Sequence, residues 1–188
     1  MPSSSSSATS GYSPYQPPAY QIPKASLEFD IQDSKTIIVT ANMTITPRDP
    51  QSDIVLDGDA SRLDLREVRL FEIMEGKHDH GIEISKSRAL KPNQDYKFDS
   101  TKLTIPHDQF SNGRSNISAS FVLQTVVQAK PSTQELSGLF CKDGSSLLTH
   151  CEPAGFSQIT YWFDRPDILT IFDRVKIIAS QTEFPLLL

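Results

Sequence analysis

The sequence is poor in the residues and patterns that most readily announce a function. It has two cysteines, Cys141 and Cys151, too few for a disulfide framework and without the C-x-x-C or Cys/His spacing of a zinc site. Both read as reduced thiols, with a single disulfide between them as the alternative. No apolar run approaches the ~20 residues that a membrane helix needs, and the N-terminal MPSSSSSATSGYSPYQPPAY has neither the basic nor the apolar region of a secretory signal. Positive charge is not in excess either: 18 Lys and Arg against 23 Asp and Glu leave a net charge of -5. No basic face is offered to nucleic acid or to an anionic membrane. These absences predict a cytoplasmic protein with no nucleic-acid partner and no membrane partner.

Catalytic patterns are missing as well. The four histidines, His78, His80, His107 and His150, never fall in an H-E-x-x-H helix, and there is no G-x-S-x-G elbow, Walker loop or G-x-G-x-x-G. The HDH triplet at 78–80 could chelate a metal, but it follows EGK in a polar, turn-like stretch and reads as a solvated loop. Neither a catalytic residue nor a metal ligand is expected in this chain. Asn42 and Asn116 each head an N-x-S/T triplet, which matters only in a secreted protein and is awkward inside a strand pattern.

What is present is a strand pattern. With 188 residues and 37% hydrophobic side chains, the chain can build one domain with a real core. Residues 1–21, rich in Ser, Pro and Tyr, cannot bury enough apolar surface to offset their ordering entropy and read as a disordered tail; residues 22–188 read as the domain. Leu27, Phe29 and Ile31 alternate with Glu28, Asp30 and Gln32, and TIIVTANMTIT repeats the alternation after a turn at QDSK, so the two predict a hairpin. In RLDLREVRLFEIM, Leu63 and Leu65 share one phase and Val68 and Leu70 the other; the flip at Arg66 and Glu67 predicts a β-bulge. IVLDGD, YKFD, KLTIP, NISASFVLQTVVQA and RVKIIAS supply further strands.

One helix start is legible. Asp164 can cap free N–H groups, Pro166 is tolerated in a first turn and Asp167 suits the positive end of the dipole, predicting about two helical turns over DRPDILTIF. The expected fold is mainly β, a twisted antiparallel sheet or sandwich with one short helix.

Glu152 stands between Cys151 and Pro153 in LLTHCEPAGFSQITYWFDRPD. Pro153 stiffens the approach and Gly155 is expected to supply a positive φ, fixing the carboxylate at the end of a strand. A solvated turn residue and a ligand for an ammonium group both fit that placement.

The stretch from Gly138 to Leu188 closely resembles the N-terminal β-domain of bacterial-type aminopeptidase N, the alanyl zinc aminopeptidases. The resemblance rests on Gly138 and Leu139, on Cys151, Glu152, Gly155 and Phe156, on Ile159, Thr160 and Tyr161, on Asp164 to Asp167, and on Pro185, Leu187 and Leu188. YQIPKASLEFDIQDSK and LDGDASRLDLREVRL extend it more weakly upstream. It implies an antiparallel β-saddle packed against a zinc-containing catalytic domain. It also implies that Glu152 holds the α-amino group of a peptide substrate, and that His150, where the family has glutamine, borders the first side-chain pocket.

The family's G-A-M-E-N motif and H-E-x-x-H helix do not occur in this chain. The resemblance therefore implies no cofactor here, zinc being held by a catalytic domain outside it, and peptide N-termini as partners only once that domain is supplied. EFPLLL ends where the family pattern continues, so the domain is expected to be incomplete at its C-terminal end and inactive alone, through truncation, frameshift or a fragmentary gene model. The rivals are a stand-alone β-sheet binding module, a decayed gene fragment and, on the two Asn triplets alone, a secreted glycosylated sandwich.

Overall fold

The computed structural model describes residues 14–74, 83–111, 120–144 and 146–185. Alternation of β-branched and polar side chains produces the predicted hairpin of β1 (Tyr20–Ile31) and β2 (Ile37–Pro47). Its turn is fixed by Asp33, whose Oδ1 accepts the backbone N–H groups of Lys35 at 2.7 Å and Thr36 at 2.8 Å. Next come β3 (Ile54–Asp57), β4 (Leu63–Met74), β5 (Glu83–Ala89), β6 (Lys97–Phe98) and β7 (Lys102–Ile105). The single-turn α1 (Asp108–Ser111), β8 (Phe121–Ala129), β9 (Gly138–Lys142), β10 (Ser146–His150), a 3-10 turn at Phe156–Gln158 and β11 (Ile171–Ala179) complete the chain.

Six strands form one sheet in the order β11-β1-β2-β8-β4-β5, while β3-β7-β6 and β10-β9 form two smaller sheets. The inward residues of β2, Ile37, Val39, Ala41, Met43 and Ile45, are buried at every second position, and Leu123 and Val127 of β8 answer them. Ile54 and Leu56 of β3 and Leu103 and Ile105 of β7 enter the same core from the second sheet. This is the mainly β, layered architecture that the alternation predicts. The bulge is where the phase flip puts it: the β4–β8 register shifts between Leu65 and Glu67, and Val68 and Leu70 beyond it are buried.

The pairing is not antiparallel throughout. β11 joins the edge of β1 in parallel, Leu27 opposite Val175 and Phe29 opposite Ile177. A hairpin cannot make such a pair, so it needs the long excursion through the rest of the domain that separates the two strands. The helix expected from Asp164 does not form; Pro166 and Asp167 sit in a turn and the chain passes directly into β11. Its capping groups are engaged elsewhere, and Ile168, Thr170 and Ile171 are β-branched and suit an extended chain. The helical segments lie instead at α1 and at the 3-10 turn.

The HDH triplet, Asn116, Ile117 and Ala119 of the β8 pattern, most of the expected tail and the terminal leucines lie outside the described residues. Asn42 lies in the middle of β2, where its amide donates to Ser26 Oγ at 3.3 Å and accepts from Gln124 Nε2 at 2.8 Å. An amide engaged on both sides in a sheet leaves no room for a glycan.

Among the described residues one cation is buried. At the head of β4, the Arg62 guanidinium donates to the carbonyl oxygens of Lys130 at 3.0 Å, Ser137 at 3.4 Å and Leu139, and to Gln158 Oε1 at 3.3 Å. The nearest carboxylate, on exposed Glu135, is 3.8 Å away. A planar fork that satisfies several carbonyls at once is a task for Arg rather than Lys. Replacing Arg62 with Met strands those acceptors and is expected to lower unfolding free energy by about 3 kcal/mol, measured by urea denaturation. Arg62→Lys should recover only part of that loss.

Candidate functional site

The candidate site is the turn that leaves β10. The β9–β10 hairpin closes with His150 opposite Gly138, and the chain then runs through Cys151, Glu152, Pro153 and Ala154, with a cis peptide between Glu152 and Pro153. Glu152 and His150 are both exposed. Among the described residues no hydrogen bond or ion pair engages the Glu152 carboxylate.

Gly155 is needed for space rather than for a positive φ. Its φ is 177°, extended backbone open to any residue, but a Cβ there would meet His150 O and Ser137 Oγ at 3.0 Å and Gly138 N at 3.1 Å. Gly138 does adopt a left-handed φ of +62°, and its Cβ would lie 2.6 Å from Gln158 Cβ and 3.1 Å from Gly155 O. The two glycines thus let backbone pack on backbone, and that contact seats Gly155, at the end of the Glu152 turn, against β9.

Asp164 fastens that same end. Its Oδ2 accepts the N–H groups of Gly155 at 3.1 Å and Ser157 at 2.9 Å, while its own N–H donates to Asp57 Oδ2 at 3.1 Å. Asp57 also binds Lys102 through its other carboxylate oxygen and exchanges backbone hydrogen bonds with Trp162 at 2.7 and 3.0 Å. Beside it, Gly58 makes room for the Tyr161 ring, which a Cβ would approach to 2.2 Å. Burial, followed by the neighbouring Tyr96 and acidic groups, pushes the Tyr161 hydroxyl up to about 12. So the carboxylate predicted to start a helix at its own position caps the segment before it, nine residues back, and the turn is anchored to the core through two aspartates.

Two further features border the turn. Burial, reinforced by the charge of Asp164, raises the Cys151 thiol above its ordinary value. Arg165 grips Asp167 with two bonds of 2.9 and 2.7 Å, and the Tyr15 hydroxyl donates to the same carboxylate at 2.9 Å. The Arg165 and Tyr15 bonds together hold Asp167 down to about 2.

His150 and Glu152 are two residues apart at the strand end, which is as far as the structure brings the predicted site residues together. Among the described residues no three His, Cys, Asp or Glu side chains converge on a point that could hold a metal, so the residues here do not fit zinc. Both cysteines are unpaired. No described helix is long and apolar enough to cross a membrane. Sequence reading missed Asp57, Arg62 and the second role of Asp164; the closeness of Asp164 to Gly155 in the chain was the available signal.

The chain is 30% identical over 175 residues to aminopeptidase N of Escherichia coli (strain K12), covering 93% of this chain and 17% of that protein. It is 30% identical over 176 residues to aminopeptidase N of Caulobacter vibrioides, with the same coverage. It thus spans about one-sixth of the length of these relatives. Its fold is similar to that of Legionella pneumophila aminopeptidase A, crystallised with aspartic acid, with a TM-score of 0.70 at 24% identity over 93% of this chain and 18% of that one. An M1 zinc metallopeptidase from Deinococcus radiodurans shares the fold at a TM-score of 0.58 and 12% identity, over 85% of this chain and 32% of that one. No family model matches the chain.

Two outcomes follow from the geometry of the turn. Gly155→Ala should cost about 1–3 kcal/mol despite a permissive φ, because backbone atoms cannot yield to the new Cβ; thermal denaturation against wild type reads the loss. Alkylation of Cys151 should rise with pH only above the ordinary thiol range. Adding denaturant should shift that profile downward, since unfolding removes both the burial and Asp164.

Proposed function

We propose that this chain, homologous to the N-terminal region of aminopeptidase N, is the non-catalytic N-terminal domain of a zinc aminopeptidase and presents Glu152 to the α-amino group of a peptide substrate. The observation that carries this reading is an exposed carboxylate, free of partners among the described residues, on a turn whose start at His150 pairs with Gly138 and whose end at Gly155 is held by the Gly138 contact and by Asp164. An anchor for a terminal ammonium must be fixed in place yet unneutralised before substrate arrives. Burying the resulting charge-assisted pair would contribute ~1.5–3 kcal/mol to the preference for a free N-terminus over an internal amide.

His150, at the end of β10, borders the substrate's first side chain in this reading. Zinc chemistry belongs to a catalytic portion outside this chain, which lacks a ligand set among its described residues. When present, that metal activates water and polarises the scissile carbonyl; what this chain supplies is the position of the amine. The domain alone is silent, its partners are peptide N-termini once a catalytic portion completes it, and neither nucleic acid nor a membrane is a partner. The two unpaired thiols support a reducing, cytoplasmic setting.

The test has two arms. The isolated 188-residue chain should not hydrolyse an alanyl chromogenic substrate, and turnover would refute the silence. With the chain joined to a catalytic portion, Glu152→Gln should lower kcat/KM for free-amine peptides roughly ten- to hundredfold. Unchanged kinetics would remove Glu152 from the site.

A further inference from the structure

Residues 14–19 belong to the stretch whose composition predicts a disordered tail, yet they are docked on the domain at two points. The root is Ala19, whose carbonyl oxygen accepts the N–H groups of Arg48 at 2.7 Å and Asp49 at 3.0 Å, between buried Pro18 and buried Tyr20. The tip is Tyr15. Its hydroxyl donates to Asp167 Oδ2 at 2.9 Å, and the Arg165 guanidinium that grips Asp167 also reaches Gln16 O at 3.5 Å.

Core formation does not account for this docking. Within residues 14–19 only Pro18 is buried and Ala19 partly so, and Tyr15 is 69% exposed, so the polar contact of its hydroxyl, rather than ring burial, seats the tip. Pro17 and Pro18 join root to tip. Two prolines in succession fix two φ angles and make a semi-rigid spacer rather than a loose tether. The segment is therefore a strap of set reach, running from the turn after β2 to the turn before β11.

The far end of the strap meets the segment that holds the candidate site. Residues 164–167 form a closed turn: the Arg165 N–H donates to Phe163 O at 2.8 Å, the Ile168 N–H donates to Arg165 O at 3.3 Å, and Pro166 fixes a further φ between them. At the upstream end Asp164 donates its N–H to Asp57 and uses Oδ2 to hold the N–H groups of Gly155 and Ser157. At the downstream end Asp167 is tied to Tyr15. Anchors at both ends of a short turn set the direction in which Asp164 presents its carboxylate, and with it the seat of Gly155 at the end of the Glu152 turn.

We propose that residues 15–19 are a positioning strap for the Glu152 turn, acting through Asp167, the 164–167 turn and the two N–H groups that Asp164 holds; this assignment rests on the role of Glu152 proposed above. The test is a double-mutant cycle in the chain joined to a catalytic portion. Tyr15→Phe keeps the ring and removes only the latch. It should lower kcat/KM for a free-amine alanyl substrate about three- to tenfold, and amide hydrogen exchange at Gly155 and Ser157 should quicken. In a Glu152→Gln background the same change should leave kcat/KM where it is, because no anchor remains to be misplaced. A merely structural loss would lower activity equally in both backgrounds. Unchanged kinetics for Tyr15→Phe, wild-type exchange at the two amides, or an equal loss in both backgrounds would overturn the strap while leaving Glu152 in the site. No effect of Glu152→Gln alone would instead remove the amine anchor, and the strap's part in positioning it would fall with it.

Discussion

A buried guanidinium holds together the segments from which the candidate site is built. Arg62 reaches the carbonyls of Lys130, Ser137 and Leu139 and the side chain of Gln158, joining the head of β4 to the approach to β9 and to the 3-10 turn. None of these acceptors is a full negative charge, and exposed Glu135 stands 3.8 Å away. The cation is therefore tolerated by geometry, through several carbonyl dipoles aimed at one plane, rather than by neutralisation. Gly138 and Gln158, which meet at the site, are both next to groups that Arg62 fixes, so the position of the Glu152 turn depends on a charge that never touches it.

A second layer of control is carried by aspartates. Asp57 takes the N–H of Asp164, and Asp164 takes those of Gly155 and Ser157, so each carboxylate closes a loop that the next one needs. Backbone groups that would otherwise be orphaned at the head of the 3-10 turn are satisfied from nine and seven residues away. Glu152, at the same turn, has no such partner among the described residues, and the contrast separates a carboxylate that positions backbone from one that does not. The same logic places Asp167 with the structural acids, since Arg165 and Tyr15 already engage it.

At the far side of the sheet the balance is reversed. β11 is attached to β1 by a parallel ladder and by the Lys24–Asp173 and Lys176–Glu28 ion pairs, yet Ile171, Val175 and Ile177 remain exposed. Surface ion pairs of this kind contribute little to stability. Among the described residues the sheet ends on β11 with these side chains exposed, while the Phe156–Trp162–Phe172 ring cluster closes the end nearest the candidate site.

The strands of the sheet were legible in the sequence because their cause is local: a period of two in β1, β2 and β8, and a phase flip at Arg66 and Glu67 that a single inserted residue must produce. Glu152 was legible as a candidate because its motif neighbours are contiguous with it. The helix at Asp164 was misread for the same reason, since a cap is recognised by local pattern but its acceptor can be claimed by any N–H the fold brings near. The parallel seating of β11, the buried fork of Arg62 and the steric need for Gly155 were not legible, because each depends on residues far apart in the chain. The sequence by itself determined the β character, the bulge and the candidate carboxylate; tertiary structure decided which charges are spent on holding the turn and that Glu152 has no partner among the described residues.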